Sequence, residues 1–208
     1  MSCRIGYYGG LSAIDNLVFD IDFARNNSYS NGSTSVRSIV GTSSAVFSGA
    51  SSVLDYTKYL YFDGSGDYLY TDYINGIKSL QMWIKLDSVS GGVWQYLIDD
   101  RDDISGSWFT KNGFSTGFDL VFYVNGVSKS VNYYPSYDWT SYVSSNTWTN
   151  LYVQFSSISD GRLTFMSYYD HTIDFMAGSI SCVHVYNRNL TSGEIIQNYN
   201  SYRNRFGV

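Results

Sequence analysis

The sequence predicts an all-β protein: a sandwich of two antiparallel sheets with one short C-terminal helix. The first observation is composition, since 21 tyrosines, 12 phenylalanines and 5 tryptophans accompany a single glutamate and a single proline. Aromatic and β-branched residues favour pleated, half-buried surfaces. The second is that short runs of alternating apolar and polar residues are separated by turn residues. The third is that helical spacing occurs only near the C-terminus. A chain of 208 residues fits one domain, predicted to span residues 1–208.

The N-terminal part predicts one strand and a long surface loop. Phe19 and Ile21 alternate with Asp20 and Asp22, which gives a strand with one apolar side. Residues 25–45 are rich in Asn, Ser, Gly and Thr and are typical of a surface loop.

A hairpin is predicted next. Residues 58–62 form its first strand, Asp63-Gly64-Ser65-Gly66 the turn, and residues 68–70 the returning strand. Asp63 and Gly64 are therefore assigned a structural role.

The middle of the chain contains further strand signals. The clearest is at 80–86, where Leu80, Met82, Ile84 and Leu86 alternate with polar or aromatic residues. Other strands are predicted at 93–98, 118–124 and 151–155. The dipeptide Asn125-Gly126 predicts a tight hairpin turn, with 127–133 as the returning strand, and Asp160-Gly161 predicts another turn.

The last thirty-one residues predict a strand, a turn and a helix. Thr191 and Glu194 have the spacing of a capping box, in which each side chain binds the other residue's backbone amide. Leu190 and Ile195 form the matching hydrophobic staple. Gly207 is placed to end the helix.

Three motifs resemble one family. The run VYNRNLTSGEIIQNYNSYRNRFG at 185–207 resembles the closing motif of concanavalin A-like, laminin G-like jelly-roll domains, particularly versions common in phages and other viruses. FDGSGDY at 62–68 resembles a turn of that family, and LVFDID at 17–22 its opening strand. Because the three occur in family order, the resemblance implies a jelly-roll sandwich over nearly the whole chain. It also implies a virion setting.

Charge and composition disfavour several partners. The net charge is −5 and the 13 Lys and Arg residues are scattered, so we expect no nucleic-acid partner. No apolar run approaches the roughly 18 residues of a membrane span, so no membrane insertion is expected. The N-terminus lacks the apolar core of a secretory signal, and the two cysteines are expected to be free thiols. Synthesis in a host cytoplasm is the expectation.

Catalytic groups are sparse. Glycosidases of this fold use two carboxylates about 5–5.5 Å apart for retention, whereas the only glutamate here is assigned to the helix cap. Asp20 and Asp22 could supply two carboxylates on one strand side, but we expect that side to be solvent-exposed. Cys182 and His184 are expected to pack within the sheet. We therefore predict no enzymatic activity, no catalytic residues and no cofactor, with calcium as the exception to be tested.

Calcium is the candidate ion. Hard oxygen donors cluster at Asp99, Asp100, Asp102 and Asp103. The alternative is a solvated acidic loop in which Arg101 offsets part of the charge.

Five aromatic residues form the candidate binding segment. They are Tyr133, Tyr134, Tyr137, Trp139 and Tyr142. Such rings stack on sugars and also anchor protein interfaces. We favour a protein interface, because a sugar site would use one or two rings in a groove.

The resulting functional expectation is a non-enzymatic virion structural protein: a minor capsid, decoration or fibre-associated subunit that contacts other virion proteins and self-associates. The alternative is a lectin-like carbohydrate-binding module for host attachment. A glycan-cleaving enzyme is the third candidate.

Overall fold

The computed structural model describes residues 3–5, 11–53, 58–89, 94–100, 107–111, 113–119, 121–130 and 139–208. Within them the strands are β1 Cys3–Ile5, β2 Leu11–Ala13, β3 Leu17–Asp22, β4 Ser35–Arg37, β5 Ser44–Ser48, β6 Ser51–Val53, β7 Tyr59–Asp63, β8 Tyr68–Thr71, β9 Ile74–Leu86, β10 Tyr96–Asp99, β11 Trp108–Thr110, β12 Gly113–Phe114, β13 Val121–Val124, β14 Val127–Ser130, β15 Thr149–Gly161, β16 Thr164–Phe165 and β17 Ala177–Tyr186. A 3-10 turn spans Trp139–Tyr142, and the helix α1 spans Ser192–Phe206.

The strands form two large antiparallel sheets, which confirms the predicted sandwich. One sheet has the order β12-β11-β10-β16-β8-β5-β4 and the other β14-β13-β15-β9-β17-β7-β6, with β3 also pairing β17. A small third sheet joins β1 and β2. Sequence neighbours are often not sheet neighbours, as expected for a sandwich whose chain passes between layers.

The core lies between the two large sheets. Met82, Ile84 and Val183 face it from the eight-stranded sheet, and Leu69 and Phe165 from the seven-stranded sheet. The predicted alternation at 80–86 thus marks the core side of β9, one of the two 13-residue strands.

The helix covers the outer side of the eight-stranded sheet. Tyr202 and Phe206 of α1 pack on Trp83 of β9 and Cys182 of β17, with Trp148 completing the cluster. Because strand residues alternate in direction, one set of β9 side chains enters the core and the other is covered by the helix. Both sides of the centre of this sheet, at β9 and β17, are therefore buried.

Burial beneath the helix corrects one expectation. Asp20 and Asp22 are fully buried. Asp22 accepts a hydrogen bond from Arg205 of α1 at 2.8 Å, and Asp20 binds His184 Nδ1 at 2.8 Å. The side of β3 that was expected to face solvent instead faces the helix. Arg205 of the helix pairs with Asp22, and His184 of the neighbouring strand β17 pairs with Asp20.

The capping prediction is confirmed. The Thr191 hydroxyl accepts from the Glu194 amide at 3.3 Å, and the Glu194 carboxylate accepts from the Thr191 amide at 2.8 Å. Leu190 and Ile195 are buried in one cluster. Gly207 ends the helix in the left-handed region with φ of 70°.

Two turn predictions have different outcomes. Asn125 and Gly126 have φ of 52° and 76°, and they join β13 to β14 as the predicted hairpin. Asp63 and Gly64 begin a turn in which Ser65 donates to the Asp63 carboxylate at 2.7 Å, which supports their structural role. The predicted hairpin at this turn is wrong, because β7 and β8 belong to different sheets.

The third turn prediction is wrong. Asp160 and Gly161 are the last two residues of β15, where Gly161 pairs with Ile74 of β9.

No helix within the described residues has the length and apolar character needed to cross a membrane.

Candidate functional site

The outer side of the seven-stranded sheet is rich in aromatic residues, and no helix of the described residues packs on it. We define the aromatic face by its partly exposed members: Tyr68, Tyr70, Trp94, Trp108, Tyr168, Tyr169 and His171. In β8 the buried Leu69 and Thr71 alternate with Tyr68 and Tyr70. Strand alternation therefore directs the two tyrosines away from the core.

Strand register aligns one row of side chains across this sheet. Tyr70 of β8 lies opposite Val46 of β5 on one side and Thr164 of β16 on the other. Thr164 lies opposite Asp99 of β10, which lies opposite Trp108 of β11. Directly opposed residues share a side of the sheet, and adjacent strands are about 4.8 Å apart. The row thus extends roughly 19 Å over four such steps.

At the Trp108 end the rings make a continuous chain of edge-on and tilted contacts. Trp108 lies 5.3 Å from Trp94 and 6.3 Å from Tyr96, measured between ring centroids. Tyr96 lies 5.2 Å from Tyr168, which lies 4.6 Å from Tyr169. Tyr96 is buried and its neighbours are partly exposed, so Tyr96 supports the accessible rings from beneath.

At the Tyr70 end a histidine is stacked on the sheet. The His171 ring is parallel to Tyr68, with centroids 4.0 Å apart and an interplanar angle of 5°. It also meets Tyr70 edge-on at 4.8 Å. His171 has φ of 61°, a left-handed conformation that is uncommon for residues other than glycine. Its Nε2 lies 3.2 Å from the Thr164 hydroxyl, which ties the loop to the middle of the row.

The loop that carries Tyr168, Tyr169 and His171 is anchored by backbone hydrogen bonds. Met176 donates to Met166 at 2.9 Å, and His171 donates to Tyr168 at 2.9 Å. Tyr96 of β10 donates to Asp174 at 3.1 Å. These bonds hold the rings of the loop in place over the sheet. The aromatic face is therefore preformed.

Charge on the aromatic face is mixed. The Arg162 guanidinium lies 6.0 Å from the Tyr70 ring centroid and 5.8 Å from that of Tyr73. Asp99 and Thr164 in the middle of the row are each 1% exposed. The accessible surface therefore consists mainly of ring faces, with an arginine at one margin.

The predicted calcium residues divide between two environments. Asp99 lies in the row on the aromatic face, and Asp100 follows it with 1% exposure. Burial raises the pKa of Asp100 to about 6, opposed by hydrogen bonds from Ser107. Asp102 and Asp103 lie outside the described residues. Among the residues the structure describes, no three potential metal ligands come together, and calcium binding stays a prediction.

The predicted aromatic interface is corrected at Trp139. This residue is fully buried, donates from Nε1 to the Thr110 carbonyl at 2.7 Å and packs 4.5 Å from Phe109. It belongs to the core because the 3-10 turn directs its indole between the sheets. Tyr142 is 40% exposed. Tyr133, Tyr134 and Tyr137 lie outside the described residues.

Sequence reasoning missed the aromatic face. Its rings come from four separated stretches, at 68–70, 94, 108 and 168–171, and only sheet pairing brings them together. The one local signal was the alternation Tyr68-Leu69-Tyr70, which places two tyrosines on the side opposite a buried leucine.

No family model and no curated protein sequence matches this chain. Solved structures do match in fold. A Trypanosoma rangeli sialidase mutant that displays trans-sialidase activity is 11% identical, with a TM-score of 0.62, over 96% of this chain and 35% of its own. The Trypanosoma rangeli sialidase itself is 12% identical, with a TM-score of 0.54, over 99% of this chain and 36% of its own.

The binding domain of botulinum neurotoxin serotype D is also similar. It is 15% identical, with a TM-score of 0.55, over 89% of this chain and 51% of its own. The chain thus spans about a third of the matched sialidases and about half of the toxin binding domain. At these identities the likeness shows a shared β-sandwich fold.

These neighbours correct one functional expectation. The prediction that the chain is not an enzyme is contradicted, because matched structures are sialidases, which are enzymes. The scarcity of glutamate excludes one catalytic arrangement, a pair of glutamates. It does not exclude enzymatic activity of other kinds.

Proposed function

We propose that this β-sandwich is a carbohydrate-recognition module that binds a glycan along the aromatic face. The observation that carries the proposal is the row from Tyr70 to Trp108, with partly exposed rings at both ends. Aromatic rings present flat apolar faces that suit the C–H faces of sugars. The three strand steps from Tyr70 to Trp108 span roughly 14 Å, which accommodates several sugar units, on the interstrand spacing.

Preformed geometry supports this use. The 168–176 loop is hydrogen-bonded to itself and to β10, so binding needs little ordering of the rings. The fold neighbours are compatible with carbohydrate recognition, since one is a toxin binding domain and others are sialidases.

The test compares aromatic residues on the two sides of the molecule. Trp108→Ala removes a ring at one end of the row, and Tyr142→Ala removes an exposed ring near the opposite sheet, where its hydroxyl lies against β14. We expect the Trp108 variant to lose roughly 30-fold in affinity for glycans retained by the wild type, the loss of an aromatic hot spot of about 2 kcal/mol. The Tyr142 variant should bind as the wild type does.

Glycan arrays followed by calorimetry on the strongest ligand give this measurement. Circular dichroism on each variant separates loss of binding from loss of fold. Equal binding by the Trp108 variant and the wild type would refute the aromatic face as the site, and so would a wild type that binds no glycan.

A second candidate function is favoured by the β13–β14 hairpin. In the described part of the eight-stranded sheet, β14 is an edge strand, and Val121, Val127 and Tyr142 are exposed around it. An open edge with apolar side chains suits pairing with another protein. On this proposal the chain is a virion structural subunit made in a host cytoplasm, with Tyr142 in its contact surface; the virion setting rests on the sequence resemblance. Self-association lost in Tyr142→Ala would support it.

A further inference from the structure

A small polar cavity lies at one end of the sandwich, where β10 and β11 of one sheet approach β15 of the other. Its volume is about 210 Å³, and its lining includes Asp100, Ser107, Thr116, Phe155, Ser156 and Ser159. None of these residues belongs to the aromatic face. The cavity is therefore a separate candidate site.

A buried carboxylate forms one wall. Asp100 is 1% exposed, and its Oδ1 accepts from the Ser107 amide at 2.7 Å. The Asp100 amide in turn donates to the Ser107 carbonyl at 3.1 Å. This reciprocal pair fixes the carboxylate where β10 ends and β11 begins.

An irregular stretch of β15 forms the opposite wall. The pairing of β15 with β9 shifts register between Gln154 and Ser159. Lys78 of β9 donates to the carbonyls of Phe155 and Ser156, which holds the chain in this shape. A register shift of this kind re-aims side chains, and here it brings successive serines to the cavity.

One of these serines has an unused hydroxyl. The Oγ of Ser159 is buried and has no hydrogen-bond partner among the described residues. A buried hydroxyl without a partner is costly, on the order of 1–3 kcal/mol. A bound group that hydrogen-bonds to Ser159 in this cavity would remove that cost.

We infer that this cavity binds a single neutral sugar ring, an inference that rests on the proposed carbohydrate recognition and adds a second subsite to it. Sugar hydroxyls both donate and accept, so they can pair with the Asp100 carboxylate and with the surrounding serine and threonine hydroxyls. Phe155, which is 1% exposed, supplies an apolar surface at the lining. The volume of about 210 Å³ is below that of drug-sized pockets, which start near 300 Å³, and suits one ring.

The same lining disfavours other ligands. An acidic sugar would place its carboxylate near that of Asp100, and like charges repel at short range. Calcium takes six to eight oxygens, largely carboxylates and carbonyls, whereas the described lining offers one carboxylate and several neutral hydroxyls.

The sharpest variant is Ser159→Ala. Because the hydroxyl has no partner in the described structure, its removal should leave the stability of the free protein unchanged or raised. It should weaken sugar binding two- to tenfold, the loss of one neutral hydrogen bond. Asp100→Asn should weaken binding more than tenfold, since a charged acceptor is lost. Asp119→Asn, a carboxylate outside the cavity, is the control.

Saturation-transfer NMR titrations with glucose, galactose, N-acetylglucosamine and N-acetylneuraminic acid measure this binding, and thermal shifts with calcium chloride test the ion. We expect a neutral monosaccharide to bind, N-acetylneuraminic acid to fail, and Ser159→Ala to weaken the response. Binding that Ser159→Ala leaves unchanged would overturn the inference. A calcium shift removed by Asp100→Asn, with no sugar response, would overturn it in favour of the ion.

The outcome separates the two sites. If Trp108→Ala abolishes oligosaccharide binding while Ser159→Ala changes nothing, the aromatic face stands and the cavity inference fails. If monosaccharide binding depends on Ser159 while Trp108→Ala has no effect, the cavity stands and the aromatic face fails.

Discussion

The two outer sides of the sandwich are built differently. The outer side of the eight-stranded sheet is covered by α1, which is tied to it through the Arg205–Asp22 ion pair and through hydrogen bonds such as that from Asn198 to Gln81. The aromatic face on the seven-stranded sheet is covered only in part, by the anchored loop that carries His171. The first side holds the protein together, whereas the second presents rings to solvent. On the proposed function, stability and recognition belong to opposite sides of the molecule.

The helix-covered side contains a connected polar network. Asn198 of α1 donates to Gln81 at 2.8 Å and to the Tyr186 hydroxyl at 3.0 Å, and its Oδ1 accepts from the Ala13 amide at 2.7 Å. Gln81 donates to Asn150 at 2.6 Å. Such a network specifies one docking position for the helix, because each partner left buried and unpaired carries a penalty.

The largest effect is expected at the buried ion pair between Arg205 and Asp22. Both side chains are fully buried, and Arg205 also donates to Ser181 and to the Lys58 carbonyl. Arg205→Ala should lower the free energy of unfolding by about 3–5 kcal/mol, because the Asp22 charge loses a buried partner. Arg203→Ala, an exposed arginine in the same helical turn, is the control. Urea denaturation compares them; equal losses would show that the pair has no special role.

Next in size is the helix cap. Glu194 binds Arg188 at 2.6 and 2.9 Å as well as the Thr191 amide. Glu194→Ala should cost about 2 kcal/mol, the upper range for a lost cap. Glu194→Gln can still accept from Thr191 but loses the charge, so it should cost less. Thermal denaturation of both variants measures the difference, and identical values would contradict a role for the charge.

The cap also predicts a pH dependence. The hydrogen bonds with Arg188, followed by those with Thr191, hold the pKa of Glu194 at about 2, against the opposing effect of burial, compared with 4.5 ordinarily. A lowered folded-state pKa means that this stabilisation is complete above about pH 4.5 and is lost as the pH falls towards 2. Glu194→Gln should flatten that part of the stability profile.

The helix-covered side was the more predictable of the two. The box formed by Thr191 and Glu194 is a local pattern within four residues, and the NG turn at Asn125 is shorter still, so both could be derived from sequence. The pairing of Asp22 with Arg205 joins residues 183 positions apart, and nothing local marks it. For the same reason Asp22 was expected to face solvent.

The aromatic face could not be derived from sequence because it depends on sheet order. Tyr70 and Trp108 share a row only because β16 and β10 intervene between their strands. The hairpin predicted at Asp63 failed for a related reason: the turn residues fix a change of direction, whereas the sheet that the chain joins next is decided by distant pairing. Trp139 similarly shows that a cluster of aromatic residues in the sequence does not reveal which rings are buried.

The smallest effect is expected from one hydroxyl on the aromatic face, compared with the same deletion under the helix. The Tyr186 hydroxyl is buried, donates to the Ala13 carbonyl at 3.1 Å and accepts from Asn198. Tyr186→Phe should cost about 1–2 kcal/mol, since it leaves buried partners unpaired. Tyr68→Phe keeps the ring that stacks on His171 and should change the unfolding free energy by less than about 0.5 kcal/mol. Urea titrations of both variants give the comparison, with glycan affinity as a second readout.

If the Tyr68 hydroxyl proved as costly to remove as that of Tyr186, the aromatic face would be part of the structural framework. If Tyr68→Phe is neutral for stability and retains binding while Tyr68→Ala loses it, the ring itself is what this side of the sandwich presents.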